Sequence, residues 1–240
     1  MPNTSTSGLS IITCTNRPAF LSNIFRNYQK QIGVNKELII VLNNDRMKKQ
    51  HYQRYARRFR NVRIYQLPGR FSLGACLNFA VRKARYPVVA KFDDDDYYAA
   101  TYAKDALRTM ARFKAAVVVK STYFMYIKGL RLLIIRHPNR ENRPVLKFFS
   151  GGTICFRKSV FRKVQFPNRS IGEDGGFLWR CRKKGYRVYS GNRYLYCCIR
   201  RRNQKTHTWK MSYRKLLSQP HKRIAYTSNF RKWVDRKRTS

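Results

Sequence analysis

The residues able to do chemistry are unevenly spread along this chain. Only 11 Asp and Glu accompany 53 Lys and Arg in 240 residues, a formal net charge of +42. Four of the eleven are consecutive, Asp93-Asp94-Asp95-Asp96, and two more adjoin at Glu173-Asp174. Glu37, Asp45, Asp105, Glu141 and Asp235 stand alone. Four adjacent carboxylates repel one another, so they require a bound cation or a ring of Lys and Arg. An Asp-x-Asp pattern supplies hard oxygen ligands suited to Mg2+ or Mn2+, which in turn bridge nucleotide phosphates. If strand geometry persists through the run, Asp93 and Asp95 face the same way and share the cation, while Asp94 and Asp96 tune the charge. Glu173-Asp174 has two readings: a general base, or a pair that only starts a helix, where the dipole favours anions.

The elements that must position these groups follow from periodicity. Leu9–Cys14, Glu37–Leu42, Val62–Gln66 and Pro87–Phe92 are short apolar runs that read as strands. Between them lie helical patterns: one opened by Asn16 as N-cap with Pro18, one from about Met47 to Arg58, and one capped by Ser72. Strands apolar on both faces and separated by helices predict an α/β fold with a mostly parallel sheet covered on both sides. Ligands of such sheets bind beyond the carboxyl ends of the strands. Thr15-Asn16-Arg17, Asn43-Asn44-Asp45 and Asp93–Asp96 all fall at those ends. Further on, a helix is expected over Tyr98–Phe113, strands over Ala115–Val119, Tyr123–Ile127, Leu130–Ile135 and Gly151–Phe156, and a helix from Glu173 to the stop at Gly185.

The basic excess gives the surface a positive potential toward polyanions such as nucleic acid, anionic lipid or nucleotide phosphates, without choosing among them. Residues 200–240 carry 14 Lys and Arg against one Asp, interleaved with Trp209, Tyr213, Tyr226, Phe230 and Trp233, which suggests a docking surface. Six cysteines without a C-x-x-C pair read as buried thiols of a reducing compartment. No secretory pattern occupies Met1–Gly8 and no stretch approaches a membrane span, so a cytoplasmic protein is expected, with peripheral contact to an anionic membrane as an option.

Thr13-Cys14-Thr15-Asn16-Arg17, Gly74-x-x-x-Asn78, Lys91–Tyr98, Gly151-Gly152 and Gly172-Glu173-Asp174, in that order, resemble the family 2 glycosyltransferases of GT-A fold. Arg200-Arg201 followed by His207-Thr208-Trp209 looks like the cell-envelope or spore-polymer members. The resemblance implies a Rossmann-like catalytic domain over residues 1–199, with a nucleotide-binding half (1–97) and an acceptor-binding half (98–199) that includes a small antiparallel sheet. The basic segment 200–240 follows it. It also implies an inverting transfer from a nucleotide diphosphate sugar, a UDP-sugar by preference, with Mn2+ or Mg2+.

By the same resemblance Thr13, Thr15, Arg17, Gly74 and Asn78 line the nucleotide pocket, and Asn43 stands where the family usually has an Asp that reads uracil. Asp93 and Asp94 sit near the nucleotide, Asp95 with Asp96 and His207 ligates the metal, Arg201 holds the diphosphate, and Asp174 is the base. The acceptor is a hydroxyl compound, with an anionic envelope polymer as the expected class. Two rivals share parts of this pattern. A nucleotidyltransferase would carry a Gly-rich loop after the first strand, which Thr13–Pro18 lacks. A nucleic-acid-binding protein or nuclease explains the charge but not the clustered acids.

Overall fold

The computed structural model describes residues 8–203 and 207–235; the expectation for the first seven residues and parts of that for the basic segment lie outside them. In chain order the strands and helices are β1 (Leu9–Thr15), α1 (Leu21–Lys30), β2 (Lys36–Leu42), α2 (Lys49–Ala56), β3 (Val62–Gln66), α3 (Leu73–Lys83) and β4 (Val88–Lys91). These continue with β5 (Tyr97–Tyr98), α4 (Tyr102–Arg112), β6 (Val117–Val119), β7 (Tyr123–Ile127), β8 (Leu132–Arg136), β9 (Arg143–Pro144) and β10 (Cys155–Arg157). The last are α5 (Glu173–Lys183), β11 (Val188–Ser190), β12 (Tyr196–Arg200), α6 (Tyr213–Leu217), β13 (His221–Tyr226) and α7 (Arg231–Val234).

The larger sheet has the order β3-β2-β1-β4-β10-β6-β11-β9. Its first four strands are parallel, as the continuous Ile, Leu and Val runs require when both faces are covered. Ile11, Leu38 and Ile40 pack with Ile24 and Phe25 of α1, Tyr52 of α2 and Met110 of α4, while Ile12, Ile39 and Val41 pack with Leu77 of α3 and Phe177 of α5. β10 enters antiparallel between β4 and β6. Its leading turn, Gly151–Thr153, therefore stands at the carboxyl end of β4, where Lys91 N–H donates to Ile154 O.

The smaller sheet, β13-β8-β7-β12-β5, is antiparallel except between β12 and β7. Its strands come from all three expected segments of the chain. A boundary at residue 97 falls inside β5 and one at residue 199 inside β12, and the basic segment supplies β13, which pairs along all of β8. Val234 is buried and Tyr97 hydroxyl donates to Asp235, so the segment is woven into the sheet while Trp209 and Tyr226 stay exposed.

Local chemistry explains smaller departures. Ser72 caps α3 by accepting from Ala75 N–H at 3.1 Å, as expected. Asn16 does not cap: a 3-10 turn over Pro18–Phe20 precedes α1, with Arg17 at its cap position and no side-chain cap bond. All six cysteines are free thiols. No described helix is long and apolar enough to cross a membrane.

Candidate active site

β4 stops at Lys91, and the four acids that follow form a turn rather than an extended run. Alternation therefore does not govern them, and the expectation that Asp93 and Asp95 face one way fails. Each carboxylate meets its own set of partners, with Arg17 shared between Asp94 and Asp95. Asp93 pairs with Lys91 Nζ at 2.8 Å. Asp94 accepts from Thr15 Oγ1 at 2.5 Å and from Arg17 Nε at 3.2 Å. Asp95 lies 3.1 Å from Arg17 Nη1 and also pairs with Arg201. Asp96 points into the protein, accepting from Tyr196 hydroxyl at 2.5 Å and Ile199 N–H at 2.9 Å. Both of its oxygens are committed to β12, so it anchors the second sheet to the turn and is not a free metal ligand. Burial, then Asp95 and Asp93, pushes its pKa well up.

Arginines and a lysine thus supply the neutralising ring. Arg17 spans Asp94 and Asp95, and both it and Arg201 lie over the Phe20 ring, 4.8 and 5.0 Å from its centroid. Burial and neighbouring Asp95 push Asp94 up to about 6, against the opposing pull of Arg17 and Thr15.

Asp174 reaches the same place from the first turn of α5. Its Oδ2 accepts from Lys91 Nζ at 3.0 Å, and its Oδ1 is buried without a hydrogen-bond partner. Burial raises its pKa; Lys91 opposes this and Asp93 adds to it. Glu173 beside it is pushed up to about 7 by burial and by Asp174. Gly151 gives Asp174 its room, since a Cβ there would come within 1.9 Å of Oδ2. Lys91 is the residue that sequence reasoning passed over as a mere motif member. Burial works against its charge, but Asp174, Asp93 and Glu173 hold its pKa well above the ordinary value. The available signal was a lysine closing the apolar run Val88-Val89-Ala90, where a buried charge must find partners.

A cavity of about 600 Å3 joins these groups, in the size range of small-molecule sites. Thr15, Arg17, Asn43, the acidic turn, Asp174, Arg200 and His207 line it. Asn43 donates Nδ2 to Pro68 O at 2.9 Å, which leaves its Oδ1 as an acceptor. Three expected pocket residues are elsewhere. Thr13 shares the face of Thr15 but lies one two-residue step deeper in β1 and is fully buried. Asn78 spends its amide on Phe166, donating to O and accepting from N–H, both at 2.9 Å. Gly74 N–H donates to Arg169 O, and a Cβ on it would come within 1.9 Å of Pro167 O. Both residues clamp α3 to the 166–169 loop that precedes α5. Gly74→Ala is therefore expected to destabilise the fold by about 1–3 kcal/mol, as overpacking does, seen as a lower melting temperature; an unchanged melt would contradict the clamp.

A divalent cation would find its donors in Asp95 and His207, whose Nδ1 is 3.9 Å from Asp95 Oδ2. Burial and then Arg200, Arg201 and Arg17 lower the His207 pKa to about 3, which keeps the ring neutral as a ligand must be. Its Nε2 accepts from Arg201 N–H at 2.9 Å, so ligation through Nδ1 moves the ring proton to Nε2 and gives up that bond. Among the described residues no cluster of three or more such ligands occurs. One or two protein ligands completed by phosphate oxygens and water is the usual arrangement for Mg2+, so the residues fit a cation that arrives with a diphosphate. Arg201 itself sits on Asp95, while Arg200 lines the cavity, donating to Trp209 O and Met211 O with its Nε unpartnered.

Solved structures of similar fold include residues 1–349 of TarS from S. aureus, at 18% identity and a TM-score of 0.62, covering 80% of this chain and 60% of that one. The same segment has been solved with UDP-GlcNAc, at a TM-score of 0.61. The mannosyltransferase PcManGT from Pyrobaculum calidifontis, in complex with GDP-Man and Mn2+, aligns at 18% identity and a TM-score of 0.61, covering 82% of this chain and 57% of that one. This chain thus spans less than two thirds of either, and the likeness is one of GT-A fold. No curated protein matches in sequence. The model of the family described as Glycosyl transferase family 2 matches residues 10–165, from β1 through the acidic turn to the clamp loop. With well over half of its length inside that match, the chain belongs to glycosyl transferase family 2.

Proposed function

We propose that this chain transfers a sugar from a nucleotide diphosphate sugar, a UDP-sugar, to an acceptor hydroxyl with inversion at the anomeric carbon. The observation that carries the reading is Asp174 Oδ1, a buried carboxylate oxygen without a partner on the wall of the cavity that holds the acidic turn. That oxygen takes the hydroxyl proton, while Lys91 on Oδ2 fixes the carboxylate's orientation. Asn43 Oδ1, free to accept, suits the N3–H of uracil. A Mn2+ or Mg2+ at Asp95 supplies positive charge against the departing diphosphate. Arg17, beyond β1 of the larger sheet, and Arg200 and Arg201, at the end of β12 of the smaller one, add donors around the acidic turn. The nucleotide sugars and Mn2+ held by the structural relatives support a donor and a cation of these classes. The exposed aromatics and cations of the C-terminal segment support an anionic polymer as the acceptor.

The test is incubation with Mn2+ and a panel of nucleotide sugars, following release of the nucleoside diphosphate. Acceptor-dependent release that stops when the cation is chelated is expected. Release no greater than the blank, with tight salt-sensitive DNA binding, would overturn the reading in favour of nucleic acid.

A pH profile follows from the base. Only ionised Asp174 accepts a proton, and the protonated fraction grows as pH falls below its pKa. Because burial raises that pKa, activity should fall on acidification before the ordinary carboxylate range, about pH 4, is reached. A flat profile down to about pH 4 would exclude a carboxylate base of this kind.

A further inference from the structure

β8 closes on Arg136, which is 1% exposed yet lines the cavity. Nη1 donates to Leu216 O at 2.9 Å and Nη2 to Gln219 Oε1 at 2.5 Å, while Nε has no acceptor. All eleven carboxylates of the chain belong to described residues, and none is within ion-pair distance of this guanidinium. A buried charge without a counter-ion is costly, so a site that keeps one has an anion to meet.

His137, 6% exposed, adds a second donor. Its Nε2 lies 3.5 Å from Arg136 Nη2, and a guanidinium can only donate, so Nε2 accepts and the ring proton is on Nδ1. Nδ1 is also buried without a partner. The ring is held in place: it stacks on Phe148 with centroids 4.3 Å apart, and the His137 backbone sits at φ +45, with Thr122 hydroxyl donating to its carbonyl at 2.6 Å. Lys147, whose Nζ lies over the Phe148 ring 5.4 Å from its centroid, lines the same cavity. The two orphans are donors, one cationic and one neutral, with Lys147 as a second cation in the same cavity, which is what an oxyanion requires. From Phe148 the chain reaches Gly151, against Asp174, in three residues, a span of at most about 10 Å.

We propose that Arg136, His137 and Lys147 form an oxyanion subsite that holds a phosphate or carboxylate carried by the acceptor, within one short chain segment of the hydroxyl activated at Asp174. Assigning the anion to the acceptor rests on the transferase reading; anion binding at these residues does not.

Inorganic phosphate titrated into isotope-labelled protein tests the site directly, because the chain has only four histidines and the His137 signals are those lost in His137→Phe. Burial, with Arg136 and Arg140, lowers the His137 pKa to about 4, so its ring does not titrate at neutral pH and a shift there reports contact. A saturable His137 shift, weakened at least about tenfold in Arg136→Lys, is expected. Unmoved His137 signals, or equal affinity in Arg136→Lys, overturn the subsite. Thermal melts show that each variant is folded, and Lys147→Ala, on the cavity wall, repeats the test without touching a buried side chain.

The second arm compares a sugar phosphate, a uronic acid and the parent neutral sugar as acceptors. A KM lower for one of the charged pair, with the advantage lost in His137→Phe and kcat little changed, assigns the anion to the acceptor and tells phosphate from carboxylate. Equal KM for all three in an active enzyme removes the acceptor assignment. Absence of any donor turnover with the His137 shift intact refutes the transferase reading and leaves the anion site standing.

Discussion

Asp174→Asn should lower transfer by about 100- to 10,000-fold, the range carried by a positioned general base, while leaving nucleotide-sugar binding unchanged. The amide is nearly isosteric and its carbonyl can still accept from Lys91, which also keeps Asp93 at 2.8 Å. The ion pair is reduced, but the buried lysine is not abandoned, so the fold is expected to survive. What disappears is an oxygen able to take a proton. The measurement is single-turnover transfer beside donor titration by calorimetry. Loss of donor affinity in proportion to activity would move Asp174 from proton acceptor to donor ligand.

Asp95→Ala has the second large effect, on the other end of the reaction. Asp95 is the carboxylate that meets Arg17, Arg201 and His207 together. Its removal should weaken cation-dependent donor binding by about 3 kcal/mol or more, roughly a hundredfold at about 1.4 kcal/mol per decade. The contrast is Asp96→Asn, one residue along. Asp96 is tied to Tyr196 and Ile199, so its loss should lower the melting temperature and leave the cation dependence in place. Donor titrations with and without Mn2+ separate the two. If Asp95→Ala binds donor as the parent does in Mn2+, the cation is held elsewhere.

The contrast between these neighbours marks where the sequence stopped being legible. The parallel half of the fold was readable because runs such as Leu38–Leu42 are apolar on both faces and end in polar clusters, a pattern set by nearest neighbours. The candidate site was readable in outline because clustered acid is conspicuous in a chain with 11 carboxylates. Directions within the cluster were not. Asp96 turns inward because of Tyr196, 100 residues away along the chain, and Asn78 because of Phe166, 88 residues away. Gly74 read as a pocket residue because close approach and ligand contact both call for a missing Cβ. Lys91 and Arg136 were overlooked for a shared reason: each closes an apolar strand, and only burial reveals that its charge needs a partner. The second sheet was expected from the runs at Tyr123–Ile127 and Leu130–Ile135 and from the resemblance, but its outer members β5, β12 and β13 had no long periodic run to announce them.

The reversal of β10 has a consequence for how such a protein can diversify. Because that strand runs against β4, the chain between β8 and β10 forms strand pairs only through β9, at the far edge of the larger sheet, before Lys147–Gly151 line the cavity. Residues 137–150 can change length or composition without shifting a single pair in the four parallel strands that carry Thr15, Asn43 and the acidic turn. On the proposed reading, acceptor contacts can then vary along that segment while the groups assigned to the donor stay where they are.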